Sequence, residues 1–388
     1  MNNFIPQRRK LLQYGFVGLS VFMGNHMLPA PLKAATLSKA SLGELLSPDE
    51  NGVRLPKGFK SRVIVHSGQN LFGYIWHSAP DGGVVFAAEG GGWIYVSNSE
   101  MKDKAGGVGA LRFDRQGEVV DAYSILNNTT RNCAGGHTPW QTWLSCEEID
   151  KGEVWECDPF GKRAPQVRRA LGLFKHEAVA VDIKNRQLYL TEDERDGRLY
   201  RYTSNSIDAA GILDLDDGFL EVAEVIHGRI GKVRWHRLPD PLAITTPTRK
   251  QVASSSFFDG GEGIWLHDGN IYFTTKGDDR VWAYDIQNSN LSIVYNAAFH
   301  LWPVLTGVDN ITANASGELL VAEDGGNMQI VVVTNEGAHP LLQIVGQNRS
   351  EITGPAFSPD GSRLYFSSQR GKTGRSEDGI TYEITGPF

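Results

Sequence analysis

Short apolar runs alternate with turn residues along most of the chain. From about Gly73 onward, runs of four to six residues such as 84–88 are separated by Gly, Asp, Asn and Pro, as at 90–92. Runs of this length between turn residues are typical of β-strands. No amphipathic pattern of three helical turns is present. The pattern therefore predicts an all-β fold.

The strands recur in similar units. The units lie near 73–125, 133–160, 176–203, 262–287, 307–336 and 353–386. The starts of the last three are about 45 residues apart, which is the spacing of four-stranded propeller blades. We expect a six-bladed β-propeller over residues 71–388, with a β-sandwich as the alternative. Residues 36–70 are expected to be a linker and N-terminal extension. Residues 204–256 are expected to form a long insertion after the third blade, as a surface loop or cap.

The N-terminus predicts export. Arg8 and Arg9 precede a short apolar region, and small residues follow at Ala34 and Ala35. This layout resembles a twin-arginine export signal over residues 1–35, and a Sec signal or an uncut lipid-surface anchor is the alternative. The expected location is periplasmic or extracellular. No run of 18 apolar residues is present, which excludes a membrane-spanning helix of the usual length.

The charge balance argues against nucleic acid as a partner. The chain carries 38 Lys and Arg against 45 acids. Cleavage near Ala35 removes four cations and no acid, and lowers the net charge from −7 to −11. An acidic interior that binds cations accounts for part of this excess.

Acidic residues return at similar places in the repeated units. The candidates are Glu147, Glu148, Glu177, Glu192, Asp193, Glu194, Glu262, Asp309, Glu323 and Asp324. The innermost strand of each blade lines the propeller axis, where converging carboxylates cannot all ionise unpaired. Oxygen-rich sites of this kind suit Ca²⁺, Mg²⁺ or Mn²⁺, and carboxylates also hold Fe³⁺. For a single acid, a solvent-facing turn residue is the alternative.

Other side chains extend the candidate site. Cys133 lies in a tight segment with Gly135 and Gly136, and is either a thiolate ligand or a small buried apolar residue. His176 directly precedes Glu177 and is either a hydrogen-bond donor to a ligand carboxylate or a core histidine.

Cations and cysteines leave further alternatives open. Lys276, Arg280, Arg249 and Arg370 follow strands or lie in the insertion. One or two of them are candidates to face an anionic substrate at the channel mouth, and most are expected to be solvated surface charges. Cys146 and Cys157 form a disulfide, or all three cysteines are buried thiols.

Several of these motifs together resemble the PhoX family of exported bacterial alkaline phosphatases. The segments that carry the resemblance are 132–136, 138–140, 142–148, 174–177, 190–193, 261–263 and 353–361. The resemblance covers most of the chain from about residue 70. It implies a six-bladed propeller with a mixed iron–calcium site that hydrolyses phosphate monoesters.

The resemblance also implies site residues. The cysteine ligand of the family corresponds to Cys133, and two carboxylate ligands correspond to Glu177 and Glu262. Further ligands correspond to Glu147, Glu148, Glu192, Asp193, Asp309, Glu323 and Asp324. Longer members of the family have an Arg-Pro pair, whose arginine contacts phosphate, where this chain has Gly260 and Gly261. The metal cage is therefore better preserved than the phosphate clamp, and Arg249 or Lys276 is the candidate replacement for the missing cation.

We therefore expect a monomeric, exported, metal-dependent phosphoric-ester hydrolase that acts on a small phosphorylated substrate. No side-chain nucleophile stands out, so the expected nucleophile is an oxo or hydroxide group on the metals. The expected metals are Fe³⁺ and Ca²⁺. One rival is a lactonase or organophosphate hydrolase with Ca²⁺ alone. The other is a non-enzymatic binding propeller stabilised by metal.

Overall fold

The computed structural model of the protein describes residue 37 and residues 39–334 and 336–388. The export signal predicted for residues 1–35 lies outside the described residues. Within them, helix α1 (Lys39–Leu42) has four residues, and no helix is long and apolar enough to cross a membrane.

Antiparallel strands make up nearly all of the regular structure. The N-terminal strands are β1 (Val53–Arg54), β2 (Lys60–His66), β3 (Asn70–Leu71) and β4 (Tyr74–Ile75). The next two groups are β5 (Pro80–Ala87), β6 (Trp93–Ser99), β7 (Gly106–Phe113) and β8 (Val119–Thr129), then β9 (Asn132–His137), β10 (Trp143–Glu147), β11 (Val154–Cys157) and β12 (Gln166–Val167).

The central groups follow the same order. They are β13 (His176–Asp182), β14 (Gln187–Glu192), β15 (Leu199–Ser204), β16 (Gly218–Val225) and β17 (Gly231–Arg237), then β18 (Gly261–His267), β19 (Asn270–Thr275), β20 (Arg280–Asp285) and β21 (Asn290–Asn296). The C-terminal groups are β22 (Val308–Ala313), β23 (Leu319–Glu323), β24 (Gln329–Thr334) and β25 (Gly337–Ile344), then β26 (Ile352–Phe357), β27 (Arg363–Ser368) and β28 (Ile380–Thr385).

The first strands of these groups form a closed ring. Strand β5 contacts β9, and the contacts continue through β13, β18, β22 and β26 back to β5. Strand β2, near the N-terminus, pairs with β28 at the C-terminal end of the chain, so the last sheet contains strands from both ends of the chain. The fold is therefore all-β and propeller-like.

The sheets differ from six separate four-stranded units. The described residues form five sheets of at least four strands, because β17 pairs with both β16 and β21 and joins two groups into one nine-stranded sheet. Strands β16 and β17 lie within residues 204–256, so the expectation of a loop or cap there is corrected. Alternate residues of β16, such as Leu220 and Val222, are buried, which explains why this segment pairs as a strand.

The segment expected to be a linker is also part of the folded domain. Strand β1 pairs with β25, and β2 pairs with β28. Leu42, Val53 and Leu55 are buried in the apolar cluster between the last two sheets. Burial of these side chains favours ordering of residues 39–66 on the domain.

Glycines allow the inner strands to approach closely. A Cβ atom on Gly136 would lie 1.9 Å from the backbone oxygen of Val179 on the next inner strand, and one on Gly263 would lie 2.6 Å from the nitrogen of Ile311. Each side chain would overlap with backbone. Small residues at these positions therefore keep the ring narrow.

Candidate metal centre

Each inner strand and its neighbour present two side chains at one end of the ring. In each pair, the first residue of the inner strand pairs with the last residue of the second strand, as Pro80 pairs with Ser99 and Val308 pairs with Glu323. The next residue of the inner strand is the inner position: Asp81, Cys133, Glu177, Glu262, Asp309 and Thr353. The residue directly after the second strand is the turn position: Glu100, Glu148, Asp193, Lys276, Asp324 and Gln369.

A bulge accompanies every inner position. The regular pairing is interrupted at or just after Asp81, Glu177 and Asp309, and likewise in the other three inner strands. A β-bulge adds a residue to one strand and redirects its side chains. The repeated bulges thus turn the inner positions toward a common space.

Ten of these twelve side chains line one cavity of about 170 Å³. The remaining lining residues are Arg131, Glu351 and Arg370. Gln369 lies beside the cavity, because its Nε2 donates to Asp81 Oδ2 at 2.6 Å and to Glu100 Oε2 at 3.1 Å. Every lining residue is charged or is a cysteine, so the cavity has no apolar wall.

Donor atoms in the cavity fall into four overlapping groups. Within each group the atoms lie within 4.8 Å of one another; the groups are Cys133, Glu148 and Glu177; Glu177, Glu262 and Asp309; Asp309, Asp324 and Glu351; and Asp81, Glu100 and Glu351. Glu177, Asp309 and Glu351 each belong to two groups. One group combines a thiol with carboxylates, and the other three contain oxygen donors alone.

Glu177 has the most unusual environment. Its side chain is buried, and neither carboxylate oxygen has a hydrogen-bond partner among the described residues. Burial, followed by the nearby Glu262 and Glu148 carboxylates, raises the pKa of Glu177 well above its ordinary value. An unpaired buried carboxylate is costly, and a bound cation removes that cost.

The other cavity acids show the same effect. Burial, together with neighbouring acids, raises the pKa values of Asp81, Glu262 and Glu351 well above their ordinary range. Burial raises the pKa of Asp309 to about 7, and it also raises that of Glu148 to about 7 against the opposing effect of Lys175. The cavity therefore resists carrying its full negative charge without bound cations.

Three cationic side chains line the cavity. Lys276 Nζ lies 2.6 Å from Glu262 Oε1 and 3.9 Å from an oxygen of Asp324. Arg370 Nη2 lies 2.7 Å from Glu351 Oε1, and Arg131 Nη1 lies 3.3 Å from Glu100 Oε1. Burial disfavours the charged form of Lys276, but Glu262 and other nearby acids outweigh it and raise the pKa of the ammonium group.

Four predicted acids lie outside the cavity. Glu194 pairs with Arg249 at 3.4 Å. The other three are the last strand residues Glu147, Glu192 and Glu323, whose side chains point away from the turn position because neighbouring residues of a strand alternate. Glu323 accepts from the backbone nitrogens of Thr306 at 3.1 Å and Gln329 at 3.0 Å. Glu147 and Glu192 also accept from backbone nitrogens. These three carboxylates stabilise turns through backbone hydrogen bonds, and they are not among the candidate metal ligands.

Arg249 is also outside the cavity. Its guanidinium lies 3.3 Å from Glu192 Oε1, 3.4 Å from Glu194 Oε1 and 3.3 Å from Asp196 Oδ1. Three acids thus hold this arginine in a structural network. Between the two candidate replacements for the missing cation, the structure places only Lys276 in the cavity.

His176 does not donate to a cavity carboxylate. Its Nε2 donates to the backbone oxygen of Gly172 at 2.9 Å, and its ring packs on Phe174 at 3.6 Å between centroids. Burial lowers the pKa of His176 to about 4, so the ring is neutral. The histidine belongs to the core between sheets.

The cysteines are all free thiols. Cys133 is at the cavity, whereas Cys146 and Cys157 are buried in two different apolar clusters. The disulfide alternative for Cys146 and Cys157 is therefore not realised in this structure.

Sequence reasoning did not find Asp81, Glu100, Glu351 or Arg131. Asp81 follows Pro80 at the start of the first inner strand, and Glu100 directly follows the second strand. These are the same two positions that Glu177 and Asp193 occupy in the third unit. Alignment of the first unit with the others by strand boundaries would have identified both acids. Glu351 and Arg131 each directly precede an inner strand, but they carry opposite charges, so the repeat of acids gives no signal for this position.

A comparison with family models identifies the chain. The model for alkaline phosphatase PhoX matches residues 97–156 and 150–292, which together span just over half of the chain. The protein belongs to the PhoX family. This membership makes it an enzyme of the phosphoric monoester hydrolase class. A comparison with curated protein sequences gives no match.

Three solved structures are similar to this chain in fold. The structure of Pseudomonas fluorescens PhoX with vanadate, a transition state analogue, aligns with a TM-score of 0.73 and 19% identity over 89% of this chain and 98% of that chain. A protein of unknown function from Bacteroides thetaiotaomicron aligns at 0.53 and 10% identity, over 84% and 76%. The PQQ domain of pyranose dehydrogenase from Coprinopsis cinerea aligns at 0.51 and 14% identity, over 87% and 98%.

Proposed function

We propose that this PhoX-family protein is an exported, metal-dependent phosphomonoesterase with a multimetal site on the axis of a six-bladed propeller. The closed ring of inner strands β5, β9, β13, β18, β22 and β26 supports the count of six blades. The observation that carries the proposal is Glu177, a buried carboxylate that finds no hydrogen-bond donor in the described part of the chain and lies in a cavity crowded with acids.

Charge supports a requirement for metals. Nine carboxylates of the described residues line the cavity with three cationic side chains, and Lys175 pairs with Glu148 at 2.8 Å, which leaves five negative charges uncompensated when all the acids are ionised. A phosphate monoester is itself an anion at neutral pH, and so the bare cavity repels it. Several multivalent cations are needed before the substrate can enter.

The donor atoms fit iron and calcium. The thiol of Cys133 with Glu148 and Glu177 suits iron, because iron is held in proteins by thiolate sulfur and Fe³⁺ also by carboxylate oxygen. The other three groups offer only carboxylate oxygens, which Ca²⁺ prefers. When bound, such ions neutralise negative charge that develops on the phosphoryl oxygens during displacement.

Cations of the chain complete the proposed substrate site. Lys276, Arg131 and Arg370 are partly exposed, with 38%, 32% and 32% of each side chain accessible. Acids hold each of them at the cavity, and the nearest are Glu262 to Lys276, Glu100 to Arg131 and Glu351 to Arg370. We assign Lys276 Nζ to donate to a phosphoryl oxygen, with the two arginines at the edge of the cavity.

The proposal also covers the location and the oligomeric state of the enzyme. The predicted twin-arginine signal implies export in a folded state to the periplasm or beyond. We propose that the mature enzyme acts there as a monomer on a small phosphorylated substrate.

Metal analysis and activity of the same preparation test the proposal. Protein purified from the exported fraction should contain iron and calcium and hydrolyse phosphate monoesters. Glu177→Gln should lose both metal and activity, whereas Glu194→Gln, an acid outside the cavity, should keep both. Calcium without iron would favour the lactonase-like rival, and a metal-free but active Glu177→Gln enzyme would refute the proposal.

A further inference from the structure

An exposed apolar loop stands next to the cavity. In the loop of residues 298–304, Phe299, Leu301 and Trp302 expose 79%, 87% and 85% of their surface. Large apolar side chains that cluster on a surface in this way mark contact sites more often than isolated ones do. The metal site does not use these side chains, so they need a separate explanation.

The ends of the loop are held firmly. The Asn296 side chain accepts from Ala298 N at 3.0 Å at the start. The Tyr295 hydroxyl donates to Leu305 O at 2.8 Å, and the Tyr295 ring stacks on His300 at 5.2 Å. These contacts fix the base from which the apolar side chains project.

The loop begins and ends at the edge of the cavity. Ala297 N donates to Asp279 O at 3.1 Å, and Gly307 N donates to Asp279 Oδ1 at 2.6 Å. Asp279 closes the turn that starts at Lys276. Asp324 N donates to Gly307 O at 2.7 Å. The base of the loop therefore lies between Lys276 and Asp324, which both line the cavity.

A third exposed aromatic residue flanks the same turn. Lys276 N donates to Gly260 O at 2.8 Å, and Gly277 N donates to Asp259 O at 2.9 Å. Phe257, two residues before Asp259, exposes 62% of its surface. Exposed apolar side chains thus lie on both sides of the turn that carries Lys276: Phe257 on one side and loop 298–304 on the other.

The cavity itself has no place for an organic group. Its volume is about 170 Å³, and its walls are charged side chains and one thiol. The organic part of a bound phosphate ester must therefore lie outside the cavity, and the base of the apolar loop is anchored at the cavity edge.

We propose that loop 298–304 binds the organic group of the substrate, and that the enzyme prefers phosphate monoesters of apolar alcohols. The inference rests on the proposed function, which places the phosphoryl group in the metal cavity. A membrane surface is the less favoured occupant, because the acidic cavity and the net charge of the chain repel anionic lipid.

Binding of two phosphonates tests this inference without requiring turnover. Ethylphosphonate and n-hexylphosphonate carry the same head group and differ only in apolar length. Calorimetry should show that the metal-loaded protein binds hexylphosphonate about tenfold more tightly. The triple variant F299S/L301S/W302S should lose this preference and bind ethylphosphonate as before. Phe72→Ser, which removes an exposed apolar side chain from the hairpin of β3 and β4, should keep the preference.

Other results would overturn the inference. These are equal binding of the two phosphonates by the wild type, no binding of either, or an unchanged preference in the triple variant. Loss of binding to phosphatidylcholine vesicles in that variant, with the phosphonate preference unchanged, would assign the loop to a lipid surface instead. A chain-length preference without hydrolysis of the matching esters would support the inference and refute the proposed function.

Discussion

Lys276 Nζ lies 2.6 Å from Glu262 Oε1, and the two residues occupy the turn and inner positions of the same strand pair. At the equivalent turn positions, four of the other pairs have an acid and one has Gln369. The ring of donors is thus interrupted by one cation, and Glu262 holds that cation at the cavity.

The first prediction concerns this lysine. Lys276→Met should raise the inhibition constant for inorganic phosphate by roughly 10-fold to 100-fold, because one charge-assisted hydrogen bond to the anion is lost. Lys276→Arg should retain most of the affinity. Inhibition assays at saturating metal, with metal content measured in parallel, test this. An unchanged inhibition constant in Lys276→Met would mean that the lysine only balances the charge of the cavity acids and does not bind phosphate.

The second prediction separates the two types of metal. Cys133→Ser should lose iron and the visible absorption of an iron–thiolate bond, but retain calcium, because the oxygen-only groups are intact. Cys146→Ser is the matched control, since Cys146 is buried in the core away from the cavity. It should keep its iron. Retention of the iron absorption in Cys133→Ser would contradict the ligand assignment.

The third prediction concerns pH. The pKa values of Asp309 and Glu148 are raised to about 7 from 3.8 and 4.5. Between these limits the folded metal-free protein binds more protons than the unfolded chain, so its stability should fall as pH rises from about 4 to about 7. Thermal melting of metal-free protein should show this fall, and Asp309→Asn should reduce it. A melting temperature that rises over this range would refute the account.

The fourth prediction distinguishes structural acids from cavity acids. Glu323→Gln should lower the free energy of unfolding by about 1–2 kcal/mol and leave the metal content unchanged, because its carboxylate serves two backbone nitrogens. Glu177→Gln should stabilise the metal-free protein, because it removes a buried carboxylate that has no hydrogen-bond partner within residues 39–334 and 336–388. Chemical denaturation with elemental analysis checks both. Loss of metal in Glu323→Gln would show that Glu323 is a metal ligand after all.

Much of the cavity was predictable because a repeated strand pattern places equivalent residues at equivalent points. The repeat predicted Glu177, Glu262 and Asp309 at the axis, and the family resemblance added Cys133. The pattern failed at Glu147, Glu192 and Glu323, because an adjacent pair of acids does not reveal which member faces the ring. Strand alternation decides that, and it depends on the exact last residue of each strand.

Two other features depended on distant contacts. The placement of β2 beside β28 joins residues about 320 positions apart, as Arg62 pairs with Glu383 in the register. Lys276 lies in the cavity and Arg249 lies outside it because different acids surround the two cations. No local sequence pattern shows which acids those are. Glu351 directly precedes its inner strand, and the equivalent residue of the second unit is the cation Arg131, so the repeat carries no acid at that position.

Crystals of protein from the exported fraction test the central claim most directly, through anomalous scattering at the iron edge. The account predicts an iron peak within bonding distance of Cys133 Sγ and a Glu177 oxygen, with calcium density among the oxygen-only groups. A fully folded, active enzyme without metal density near Glu177 would contradict it.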